Sequence, residues 1–169
     1  MVGNRLCQIL YDFCVIPGTD WDGDYSEEGF REWVDYCRTW AKAEDREAIV
    51  QQTIGNGLSY ARKLENGLVD EFIMRELNKI ENEEMRLGYR LGIINQRGAR
   101  WIDPEGKPEF QLAEKYKELA ETAESMGYAK YAETLRAISD GYIREAEHNI
   151  REHQLEQEAQ RRANDDDNQ

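Results

Sequence analysis

The chain has 169 residues, 40% of them hydrophobic and 34% charged, with a formal net charge of −13. That is one ordinary domain with room for a core, and its composition is neither disordered nor fibrous. No apolar run reaches the ~20 residues of a membrane span, and the negative field repels the phosphates of DNA, RNA and anionic lipid.

The N-terminus lacks the basic start, long apolar stretch and small-residue cleavage site of a signal peptide. Three cysteines cannot all pair with one another. Cys7 and Cys14 lie about 10 Å apart along a predicted helix, beyond disulfide reach. With Cys37 they fall on apolar faces, so the sequence predicts buried free thiols and a cytoplasmic address.

In chain order, Asn4 to Val15 places Leu6, Leu10, Phe13 and Cys14 at helical spacing, and Pro17-Gly18 ends the run. A helix so close to residue 1 fits one region of a larger protein. Asp20, Asp22 and Asp24 then alternate in a loop. They suggest calcium, but the EF-hand template fails at Tyr25, where glycine is needed, and at Arg31, where glutamate is needed. A solvated acidic turn is the expectation. Ser26 is placed to cap a second helix with Glu27 and Glu28 in its first turn. Phe30, Trp33, Val34, Cys37, Trp40 and Ala41 form its stripe, which reads as core. Asp45 is placed to cap a third helix carrying Ile49, Val50, Ile54, Leu58 and Ala61, kinked or closely packed at Gly55 and Gly57. Asn66-Gly67 closes it. A fourth helix is predicted over Leu68–Asn82 on Val69, Phe72, Ile73, Leu77 and Ile80. The pattern resumes through Met85, Leu87, Tyr89, Leu91 and Ile94, where Gly88 and Gly92 would admit another backbone.

Periodicity disappears from Asn95 to Lys107, and Asp103-Pro104-Glu105-Gly106 suits a type I turn. Pro108 opens a helix with Leu112, Tyr116, Leu119, Ala123 and Met126. Gly127 stops it. Tyr131, Leu135, Ile138, Tyr142, Ala146 and Ile150 follow on a second stripe, predicting an antiparallel helical hairpin with Leu119 and Leu135 buried. This hairpin resembles a tetratricopeptide unit. Leu119, Ala120, Gly127 and Ala132 fall where that motif has its leucine, first small residue, turn glycine and second small residue. Ala123 departs from the motif's aromatic and Arg136 from its large apolar residue, and the pattern occurs once. The resemblance implies helical-pair geometry and nothing about activity. Beyond Ile150 the stripe weakens, and Asn164–Gln169 is expected to be a disordered acidic tail after a single domain at 1–163.

Motifs for catalysis are sparse. Glu145-x-x-His148 has the spacing of a di-iron ligand pair, but no second copy exists and position 148 points off the stripe. His153 is the one other histidine. Glu81 with Glu84, and Glu118 with Glu121 and Glu124, have the spacing of helical nucleotide hydrolases without the second acidic pair. No phosphate loop, dinucleotide fingerprint or nucleophile elbow is present. The sequence predicts no metal and no cofactor.

One stretch stands apart. Met85–Ile102 holds Arg86, Arg90, Arg97 and Arg100, three glycines and no acid. Four guanidiniums so close repel one another unless anions lie among them. Those anions are this protein's own carboxylates or a partner's. Arg97 and Arg100, beside the loop that needs anchoring, read as internal. Arg86 and Arg90, one turn apart on a helix, read as outward, with Tyr89 and Trp101 available for stacking.

The whole predicts an all-α fold of about six helices, in a compact bundle or short solenoid-like array ending in the hairpin. The expected function is a non-catalytic protein-interaction or scaffolding module, bound to another protein or a second copy of itself. The alternatives are a nucleic-acid-binding or anion-recognising domain acting through the Arg86–Arg100 patch, and an enzyme with an unrecognised site.

Overall fold

In a computed structural model of the chain, the structure describes residues 16, 18, 19, 24–98 and 102–166. Six α-helices account for most of them: α1 (Glu27–Ala43), α2 (Glu47–Leu58), α3 (Glu71–Asn78), α4 (Glu83–Asn95), α5 (Lys107–Ser125) and α6 (Ala129–Asp166). A 3-10 turn, Ile80–Asn82, joins α3 to α4. The fold is an all-α bundle, and the described residues contain no strand. The predicted first helix, Cys7, Cys14, Asp20 and Asp22 lie outside the described residues.

Ser26 caps α1 by accepting a hydrogen bond from the Gly29 amide at 3.1 Å. Its stripe divides more sharply than the sequence predicts. Phe30, Val34 and Ala41 are buried, Trp33 and Cys37 are half-buried, and Trp40 is 50% exposed. Trp40 is thus corrected from core to surface, because the contact line runs through Ala41 one residue further on. Asp45 does not cap α2. It sits at φ +53° in the chain reversal, and Arg46 takes the cap position without a side-chain bond.

The predicted fourth helix is shorter than expected. Asn66 accepts from the Leu68 amide, Gly67 turns at φ +80°, and Val69 bridges Lys63, which keeps 68–70 out of α3. Leu68 and Val69 are fully buried all the same. α3 ends where Lys79 turns extended.

The closest contact is between α2 and α4. A β-carbon on Gly55 would lie 1.8 Å from the Met85 carbonyl oxygen, and one on Gly88 1.9 Å from that of Gln52. One on Gly92 would meet Ser59 Oγ at 2.4 Å. The three glycines let two backbones touch. Ile54, Leu58, Ile73, Met74, Leu77, Met85 and Tyr89 close around this crossing as the core.

The helices α5 and α6 turn back on each other at Gly127, φ +89°. Arg136 pairs with Glu124, Tyr142 stacks on Tyr116 at 5.7 Å, and Ala146 abuts Gly106, so the two run antiparallel. The buried line of α5 is Glu109, Ala113, Ala120 and Ala123; Leu112, Tyr116 and Leu119 flank it half-buried, and Met126 is 46% exposed. Leu135 is buried as predicted, whereas Leu119 only borders the core. Alanines on the contact line let the helices approach, which moves the larger side chains to the edges. Beyond Ile150, α6 runs on as far as Arg162 with side chains exposed apart from half-buried His153, and its helix continues to Asp166.

Two glycines test this packing by the sign of their effect. Alanine in a helix gains about 1 kcal/mol over glycine when it fits. Gly141→Ala, whose β-carbon meets nothing nearer than 4.0 Å, should show that gain in urea unfolding. Gly88→Ala should lose about 2–3 kcal/mol, since the overpacking cost exceeds the helical gain. A stabilised Gly88→Ala variant would refute the close crossing.

Candidate functional site

The described arginines of the stretch have different surroundings. Arg97, in the turn after α4, pairs through Nη2 with Glu109 Oε1 at 2.8 Å and through Nη1 with Glu145 Oε2 at 3.3 Å. Its guanidinium lies 5.0 Å from the centre of the Tyr142 ring. Glu109 is buried at the first turn of α5, so Arg97 ties the end of α4 to both hairpin helices. Arg86 is also internal. Its Nη1 donates to the carbonyls of Leu77, at 3.0 Å, and Lys79, and its Nη2 to that of Ile80 at 3.3 Å. It satisfies the carbonyls that the end of α3 leaves open. The outward reading of Arg86 is therefore corrected: backbone oxygens, not a partner's anions, hold it.

Tyr89 is corrected likewise. Its ring is 1% exposed, packed edge-on to Tyr131, and the two hydroxyls bond at 3.0 Å. No face is open for stacking. Burial pushes the Tyr89 hydroxyl well above the ordinary tyrosine range, with the Tyr131 hydroxyl adding to it. Arg100 and Trp101 lie outside the described residues.

Arg90 remains. It is half-buried and, among the described residues, has no hydrogen bond or ion pair. It lines a cleft of about 250 Å³ between α4 and α6 with Glu83, Arg86, Leu87, Lys130, Glu133, Thr134 and Ala137. Lys130 is committed to Glu133 at 2.9 Å, and Glu84 at the rim accepts from Gln52 at 2.6 Å. Along the same outer face of α4 lie Leu91, 43% exposed, and Ile94, 37% exposed. Helical periodicity puts Leu87, Arg90 and Ile94 away from the glycine line that faces α2, with Leu91 at the edge between them. The result is an apolar strip with one uncommitted guanidinium beside it.

A second polar centre was not legible in the sequence. Glu76 accepts from Arg38 at 2.7 Å, Lys79 at 2.5 Å and Asn82 at 2.9 Å, while Arg38 also donates to Asn82 at 2.8 Å. Burial would raise the Glu76 pKa, but the bonds from Lys79, Arg38 and Asn82 outweigh it and hold the carboxyl below its ordinary value. The neighbouring cleft between α1 and α3 is lined by ion pairs that close on themselves, Arg75 with Glu27 at 2.7 Å among them. The spacing of 38 residues between Arg38 and Glu76 carries no sequence signal. Near Asp70, the Tyr25 hydroxyl donates to the carboxylate, and burial together with that bond pushes its pKa up to about 12.

Among the described residues no group of acidic, histidine and cysteine side chains is placed to hold a metal ion. His148 is exposed on α6, and Cys37, half-buried on α1, has its thiol pushed up by burial. Comparison with known proteins returns no matching family model, curated protein or solved structure.

The arginines separate by stability. Arg97→Ala removes a buried ion pair to Glu109 and the one to Glu145 and should cost about 3 kcal/mol, while Arg90→Ala should stay within about 0.5 kcal/mol in urea unfolding. Glu76 makes a pH prediction. Its folded pKa is lowered, so its contribution is present above the unfolded carboxylate value and lost as pH falls through the folded one. Glu76→Gln should therefore be less stable than the parent at neutral pH, and the two should converge in acid. Equal stabilities at neutral pH would show that the bonds to Glu76 contribute nothing.

Proposed function

We propose that the chain is a non-catalytic protein-interaction module that binds through the outer face of α4 and the cleft beside α6. The observation that carries this reading is the pairing of Leu87, Leu91 and Ile94 with Arg90, a guanidinium whose neighbours Lys130 and Glu133 satisfy each other. Such a strip suits an amphipathic helix of another protein that lays apolar side chains on the leucines and brings a carboxylate to Arg90. The net charge of −13 makes a second copy of this chain a poorer occupant, because two such molecules repel at close range. With Arg86 and Arg97 held by the protein's own oxygens, a polyphosphate would meet few free cations here, which favours a protein over a nucleic acid. No helix among the described residues is long and apolar enough to cross a membrane.

A photo-crosslinking residue at Leu91 tests this in the native cell. The expected outcome is a defined crosslinked protein that disappears when Arg90→Glu is added, with unfolding unchanged. Crosslinking insensitive to Arg90→Glu, or crosslinking only to the chain itself, would overturn the proposed partner.

A further inference from the structure

A lysine outside this face has an unusual setting. Lys63 lies in the loop between α2 and α3, its backbone fixed by the bridge to fully buried Val69. The residue as a whole is exposed, yet Nζ lies within 3.5 Å of the Tyr89 hydroxyl and 5.7 Å of the centre of that buried ring. The Tyr89 hydroxyl, from α4, is itself bonded to that of Tyr131, from α6, and Lys115 of α5 is near enough to repel the ammonium. Among the described residues no carboxylate pairs with it. Both tyrosines are kept neutral by burial, so neither offers a compensating charge.

We propose that Lys63 is an acyl-acceptor site, a modification site whose amine takes short acyl groups from thioesters. The neutral amine attacks the acyl carbon, a C–N bond forms, and the C–S bond breaks with its electron pair on sulfur. The proton lost from nitrogen ends on the thiolate, which leaves as thiol. The setting favours this chemistry at both ends. Burial against the tyrosines, helped by repulsion from Lys115, lowers the ammonium pKa to about 8 and leaves a sizeable neutral fraction at neutral pH. The product amide is uncharged, which removes the repulsion from Lys115 and keeps an N–H for the Tyr89 hydroxyl. An ordinary surface lysine has neither incentive.

The test treats the intact protein with a limiting amount of the acetyl thioester of N-acetylcysteamine and maps acetylation by peptide mass spectrometry across pH. The depressed pKa raises the neutral fraction by about two orders of magnitude, and lower basicity offsets part of it, so Lys63 should outpace Lys42 and Lys117 about tenfold at neutral pH. Its rate should level off above a midpoint near 8, while theirs keeps rising. Lys115→Gln, at an exposed position, should move that midpoint upward. Acetylation of Lys63 at the pace and pH profile of Lys42 and Lys117 would overturn the proposal, as would a midpoint indifferent to Lys115→Gln.

Discussion

Between α2 and α4 there is no room for a methyl group. The backbones meet where Gly55 faces the Met85 carbonyl and Gly88 faces that of Gln52, and the rest of the bundle is arranged around that contact. Each glycine in a helix gives up about 1 kcal/mol of intrinsic helical stability. Dispersion between closely packed backbones and the apolar core around them offset it. The contact also fixes the rotation of α4. With Met85, Gly88 and Gly92 against α2, Tyr89 must turn toward Tyr131, and Leu87, Leu91 and Ile94 must turn outward. One helix is thus committed to the core on one face, while its other face carries exposed Leu91 and Ile94.

The cationic stretch that looks uniform in sequence divides into three roles once this rotation is set. Arg86, nearest the start of α4, reaches back and binds the carbonyls that close α3. Arg97, beyond its end, reaches forward to Glu109 and Glu145 and joins the helical hairpin to the rest. Arg90, midway, lines the cleft and, among the described residues, has no acid paired with it. A net charge of −13 explains little of this. Local placement decides which positive charges are used internally and which one is left available.

Much of the fold was legible because helices leave periodic traces. The α1 cap at Ser26, the hairpin turn at Gly127 and the close approach at Gly88 and Gly92 each follow from a local rule. The misses share a cause: they depend on tertiary rotation. Trp40 and Leu119 lie on apolar stripes by spacing, yet the contact lines pass through Ala41 and through Ala113, Ala120 and Ala123, because small residues permit the nearest approach. Asp45 has a capping residue's chemistry but occupies a left-handed reversal instead. In the candidate site, composition singled out α4 and its arginines, Arg90 among them. It assigned Arg86 and Tyr89 to the outside, since no pattern reveals that carbonyls nine residues back, or a tyrosine 42 residues on, will be the partners. The Glu76 network escaped for the same reason.

Native-state hydrogen exchange in sub-denaturing urea addresses the central contact most directly. If α2 and α4 are locked backbone to backbone, the amides of Ile54–Leu58 and of Met85–Ile93 should exchange only through global unfolding, on one shared dependence on urea. Separate opening of α4, with its amides exchanging independently of urea while those of α2 stay protected, would contradict the account.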